Sequence, residues 1–251
     1  MKKKDLLFFL FLAVIFSPFF LSEPVLRFYL SFNHEHGMIS AFFKFAILAT
    51  MGELIGLRIK TGTYLKKDFG IIPRMIVWGF LGVTIKMALV IFATGTPVFM
   101  DYCGFSLARE AFNGSFSLNK LLVAFSISTA MNLIYAPVMM TLHKISDIHI
   151  QQTGGTLIGF FRPVHIRNII VNLNWDVQWN FVFKKTIPFF WIPAHTITFL
   201  LLPDFQVLFA AILGIALGTI LAIADLSGNM KLVNKNSYSY SKIKIYETHT
   251  H

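Results

Sequence analysis

A chain of 251 residues that is 55% hydrophobic, 16% aromatic and only 14% charged falls outside the composition of soluble domains, which carry about 25% charged residues. With a mean hydropathy of +0.65, its formal charge of +10 calls for a membrane explanation before a nucleic-acid one. One cysteine, Cys103, excludes an internal disulfide framework and any multi-cysteine metal site.

The first segment, Lys2-Lys3-Lys4 followed by an apolar run to position 22, starts like a signal peptide. No small-x-small cleavage site stands at 19–24, so residues 1–22 are read as an uncleaved membrane helix or signal anchor. A short polar loop is expected at 23–37, a second span at 38–59, then a basic loop with Lys60, Lys66, Lys67 and Arg74. A third span at 75–99 ends in Gly95-Thr96-Pro97, and after a loop at 101–117 a fourth follows at 118–142. The long stretch 143–183 mixes Phe160, Phe161, Trp175 and Trp179 with Arg162 and Arg167, which predicts an interfacial amphipathic helix around 166–183.

Two further apolar segments, 186–202 and 205–224, are separated only by Pro203-Asp204 and read as a tight transmembrane hairpin. The bundle thus covers 38–225, and the basic tail 226–251 is expected to be flexible. The fold class is an all-α polytopic bundle of about six transmembrane helices, or five if the first segment is cleaved. Lys and Arg collect in alternate loops: one side holds most of them, the other only Arg27, Arg109 and Lys120. By the positive-inside rule both termini lie on the cytoplasmic side.

Polar residues inside apolar spans carry the functional reading. Glu53 lies among Ala46, Ala49, Thr50 and Gly56; Lys86 shares a face with Gly79 and Gly82; Asn132 and His195 with Thr198 mark later helices. Such stripes turn away from lipid, and a charge at the bilayer centre needs a partner. A Glu53–Lys86 pair is expected, while Lys44, near the outer end, snorkels to water. Ala210, Gly214 and Gly218 recur every fourth residue, a surface that lets a neighbouring helix approach closely.

Enzyme and metal signatures are weak. His34-Glu35-His36 has too few ligands, there is no HExxH motif, and Gly154-Gly155 lacks the lysine of a phosphate loop. No catalytic residue, cofactor, metal or nucleic-acid partner is assigned. The bilayer is the expected partner, with a second copy or another membrane protein beside it.

Trp191, His195, Thr198-Phe199 and Pro203 resemble the W-P-x-x-Q-x-x-N-F-x-x-x-P signature of the Mpv-seventeen and peroxisomal membrane protein family. Met51-Gly52-Glu53 is similar to that family's G-D, Gly79-Phe80-Leu81-Gly82 to its G-x-x-G-P, and Asn132 to Ala136-Pro137 to its D-Q-x-x-x-A-P. The match runs over roughly 45–224. His195 stands where the family has Gln, Thr198 where it has Asn, Val83 where it has Pro and Val207 where it has Arg. The resemblance implies a remote relative with an added first helix, and a channel-like or solute-handling role.

The leading expectation is a channel-like bundle with a polar pathway lined by Glu53, Lys86, Asn132, His195 and Thr198. A structural or assembly subunit is the alternative, and a membrane-embedded enzyme using His195 or Glu53 the third.

Overall fold

The computed structural model describes residues 3–216 together with 218 and 219. These residues are mostly helical, with no strand among them. The tail 226–251 and the end of the last apolar segment lie outside the described residues.

Helix α1, Lys3–Leu21, meets α2, Glu23–Glu35, at about a right angle. The expected polar loop at 23–37 is therefore mostly helix. Extended Ser22 breaks the chain, while Pro24 and Glu23 suit a helical first turn, where a missing N–H costs nothing and an acid meets the helix dipole. Helix α3, Gly37–Thr61, ends at Gly62, whose φ of 75° forms a left-handed C-cap. Helix α4, Ile71–Tyr102, carries Pro97 near its end.

A short α5, Ala108–Asn113, precedes α6, Leu118–Ile134, which starts where the Ser117 hydroxyl accepts the Lys120 backbone N–H at 3.1 Å. Helix α7, Ala136–Gln152, continues from α6 through a 44° bend at Tyr135, with Pro137 in its first turn. It runs well beyond position 142, where the apolar run stops.

Two short helices follow, α8 at Leu157–Phe160 and α9 at Ile166–Val171. The single interfacial helix expected at 166–183 is divided: Asn174 caps a new start, and its side chain accepts the Val177 N–H at 3.1 Å. From there α10, Trp175–Val177, passes into a π-helical segment, Gln178–Trp191, and then into α11, Ile192–Leu200. This rod spans both the expected interfacial segment and the expected fifth span. Extended Leu201 ends it, and α12 runs Pro203–Ala216.

Helices α3 and α4 are long and apolar enough to cross a membrane, and the count rises to four if α1–α2 and α6–α7 each form one bent span. Their contacts set an antiparallel register: Lys86 reaches Gly37, Gly82 lies against Ala41 and Phe45, and Trp78 and Arg74 meet Glu53. A Cβ on Gly82 would stand 2.5 Å from that of Phe45, so glycine is what permits the approach. Phe45, Ala49, Ile85, Leu89, Val123, Ile127 and Phe199 fill the core between α3, α4, α6 and α11. Phe43, Phe80 and Ile91 remain exposed on the outer faces.

Polar ties hold the ends. Arg58 donates to both oxygens of Asp5, at 2.7 and 3.0 Å, joining α1 to the end of α3. The Tyr64 hydroxyl donates to Asp5 at 3.2 Å; burial, with Asp5 beside it, raises the pKa of that phenol above its ordinary value. At the opposite end of α3, Lys44 is buried rather than snorkelling. Its Nζ donates to Asn33 Oδ1 at 2.5 Å, and Asn33 Nδ2 in turn donates to Asp204 Oδ1 at 3.1 Å. Gly70, with φ of 69°, starts α4 and packs on Gly155, with φ of 67°, so the Gly154-Gly155 turn serves packing.

Candidate functional site

A cavity of about 690 Å³ opens among α3, α4, α6, α7, the π-helical segment, α11 and α12. Its rim carries the exposed Lys60, Lys66, Asp68 and Lys144, and its walls include Phe45, Ile85, Met131 and Met139. A volume of this size lies in the ordinary range for small-ligand sites, about 300–1,000 Å³.

An ionic cluster is set into the wall. Arg74, in the first turn of α4, is 4% exposed and donates from Nη1 to Glu53 Oε2 and Asp147 Oδ1. Its Nε donates to the Phe69 carbonyl at 2.7 Å, and its guanidinium lies over the Phe69 ring. Trp78, one turn along α4, donates its indole N–H to Glu53 Oε1 at 2.9 Å. His143 Nε2 lies 3.0 Å from that same oxygen and 3.8 Å from Asp147 Oδ1. Its ring packs on Trp78 at 4.3 Å between centroids.

Five helical positions at the right depth make this cluster: Glu53 on α3, Arg74 and Trp78 on α4, His143 and Asp147 on α7. The last two pairs are each four residues apart, so each pair shares one face. Since the carboxylate accepts, His143 Nε2 must carry a proton toward Glu53. Two carboxylates against one guanidinium leave the cluster one positive charge short, which one further proton on His143 or on a carboxyl group supplies. The cluster is therefore a place where one proton can be held.

Glu53, His143 and Asp147 also present donor atoms within 4.8 Å of one another, a set suited to a divalent cation. Arg74 already occupies both carboxylates. The His34-Glu35-His36 string forms no such group among the described residues.

The sequence-derived candidates separate here. Glu53, Asn132 and His195 line the cavity; Lys86 and Thr198 do not. The expected Glu53–Lys86 pair is replaced by Glu53–Arg74. Depth explains it. Glu53 stands eight residues from the end of α3, level with Trp78, seven residues into α4, whereas Lys86 is fifteen residues in. At 1.5 Å per residue Lys86 lies about 10 Å too deep.

Asn132 donates to the Ser128 carbonyl at 2.9 Å, and the Ser128 hydroxyl donates to the Ile192 carbonyl at 2.7 Å, tying α6 to α11. Thr198 is fully buried: its hydroxyl donates to the Ala194 carbonyl at 3.1 Å and lies 3.2 Å from His195 Nδ1. Phe199 belongs to the core, Pro137 and Pro203 begin helices, and Trp191 stacks on His195 at 5.3 Å.

Gly52, Gly56, Ala210, Gly214 and Gly218 all line the cavity, while Gly79 and Gly82 face α3. A Cβ on Gly52 would stand 2.8 Å from Ile215 Cα and one on Gly218 3.5 Å from the Gly52 carbonyl oxygen, but one on Gly214 would meet nothing within 4 Å. The close crossing of α3 and α12 is thus at Gly52, and Gly214 opens onto space.

Arg74, Trp78, His143, Asp147 and Gln178 are cavity residues that sequence reasoning missed. The i, i+4 spacings Arg74/Trp78 and His143/Asp147 were the available signal, hidden because both lie where hydropathy marks loops or span edges.

No family model matches the chain, and no curated protein or solved structure matches it either.

Proposed function

We propose that the chain is a multi-pass integral membrane protein whose cavity is the vestibule of a pathway for a small polar solute. In this reading six spans cross the bilayer and both termini are cytoplasmic. The observation that carries it is the cavity itself, which joins a charged rim to the Glu53–Arg74–His143–Asp147 cluster and to Asn132 and His195. Polar groups are costly at membrane depth and are kept where they line a cavity or pair with one another. The exposed Phe43, Phe80 and Ile91 support a lipid-facing exterior. The Asp5–Arg58 tie supports an uncleaved first helix.

The order of Gly52-Glu53, Gly79 to Gly82, Asn132 to Pro137 and Trp191 to Pro203 supports a remote place in the Mpv-seventeen and peroxisomal membrane protein family. A second reading, a non-transporting structural subunit, has its own observation: the cluster's carboxylates are already partnered within the chain, as interhelical glue would be.

Flux separates the two. Proteoliposomes of the purified chain, loaded with KCl and reporting both membrane potential and internal pH, should dissipate an imposed gradient faster than protein-free vesicles. Equal leak from both would remove the transport reading and leave the structural one.

A further inference from the structure

The π-helical segment brings two hydrogen-bond donors to the cavity wall. Bonds running i→i+5 wind about 4.4 residues into each turn. At that period Gln178, Val182, Thr186 and Trp191 fall on one face, and all four line the cavity. At 3.6 residues per turn, Trp191 would point roughly 140° away from Gln178.

On that face Gln178 Nε2 and Trp191 Nε1 are buried and have no hydrogen-bond partner among the described residues. Gln178 is only 5% exposed. A buried donor left unpaired is costly and calls for a partner from elsewhere. The two other such atoms among the described residues, Thr50 Oγ1 and Thr129 Oγ1, do not line the cavity. The cavity's unmet demand is therefore for acceptor oxygens.

Charge and walls complete the specification. Lys66 and Lys144 outnumber Asp68 at the rim, whereas the ions of the cluster face one another. Phe45, Ile85, Met131 and Met139 offer an apolar surface between.

We infer that the cavity binds an organic anion with an apolar body, its acidic head drawn by the rim lysines and its oxygens accepting from Gln178 Nε2 and Trp191 Nε1. This rests on reading the cavity as a solute site. The same chemistry is offered by a soluble organic acid and by an anionic lipid of the surrounding bilayer.

The test measures binding rather than flux, so the two readings can fail separately. The full chain in phosphatidylcholine nanodiscs is titrated with octanoate, its neutral counterpart octanol, and inorganic phosphate, following melting temperature. Octanoate should raise it saturably; octanol and phosphate should not. Gln178→Leu and Trp191→Phe remove donors that have no partner among the described residues, so each should melt no lower than the parent without ligand. Each should weaken octanoate binding at least tenfold.

Discs containing phosphatidylglycerol identify the source: suppression of the octanoate shift assigns the site to lipid, and an unchanged shift assigns it to a soluble acid. The inference is overturned if octanoate gives no shift in phosphatidylcholine discs, if octanol matches it, or if both variants bind as the parent does. Should Gln178→Leu not fold, Trp191→Phe decides alone, because Phe keeps the stacking on His195. Octanoate binding with no flux would remove the transport reading and leave this one standing.

Discussion

Arg74 holds two acids in a corner that neither could occupy alone. With 4% of its surface exposed and its Nη1 shared between Glu53 and Asp147, it is the only guanidinium that the cluster has. Arg74→Met strands two half-buried carboxylates, and breaking a buried pair costs about 3–5 kcal/mol. We predict a loss of that size in detergent denaturation, most of it recovered in the triple variant Arg74→Met, Glu53→Gln, Asp147→Asn. Lys86→Met should cost under about 1 kcal/mol, as substitutions away from such networks do. A loss as large as that of Arg74→Met would show that Lys86 neutralises the cluster after all. Trp78→Phe keeps the ring against His143 but removes one donor to Glu53, a charged-group hydrogen bond worth about 1.5–3 kcal/mol.

Between elements, the glycines divide by what faces them. Gly82 sits against the Phe45 Cβ and the Ala41 carbonyl, and Gly52 against the Ile215 backbone; a methyl group at either place needs a helix to shift. Overpacking of this kind costs about 1–3 kcal/mol. Gly82→Ala and Gly52→Ala should therefore lower the melting temperature. Gly214→Ala should leave it unchanged or raise it, because its Cβ meets nothing and alanine favours the helix by up to about 1 kcal/mol. Equal effects at all three positions, in one thermal series, would remove this account of the α3–α4 and α3–α12 crossings.

For the whole molecule, the single exposed cysteine gives a direct test of orientation. With both termini cytoplasmic, Cys103 at the end of α4 is extracytoplasmic, and a membrane-impermeant maleimide should label it in intact cells. On a Cys103→Ser background, Glu35→Cys and Ser115→Cys should label from outside and Lys66→Cys should not. Outside labelling at position 66 reverses the assignment. Asn33 is a poor reporter, since it is buried against Lys44 and Asp204. The triple cluster variant also separates transport from scaffolding: if the cluster lines a pathway, the refolded protein should lose flux in liposomes. If it is only glue, the variant keeps both stability and whatever function the parent has.

Composition and run length by themselves determined that the chain is helical and that segments such as α3 and α4 could cross a membrane, because those properties depend on local apolar content. They also singled out Glu53, since an acid inside an apolar run is costly wherever its partner lies. Only the tertiary structure decided the partner. Pairing depends on the relative depth of antiparallel helices, and a few residues' error at a helix end moved Lys86 into apparent reach and left Arg74 in a loop. Helices also run past their apolar stretches, carrying His143 and Asp147 inward on α7, because caps and bends rather than hydropathy end them. The winding of 178–191 was equally hidden. Sequence periodicity assumes 3.6 residues per turn, and the wider turn is what brings Gln178 and Trp191 to one wall.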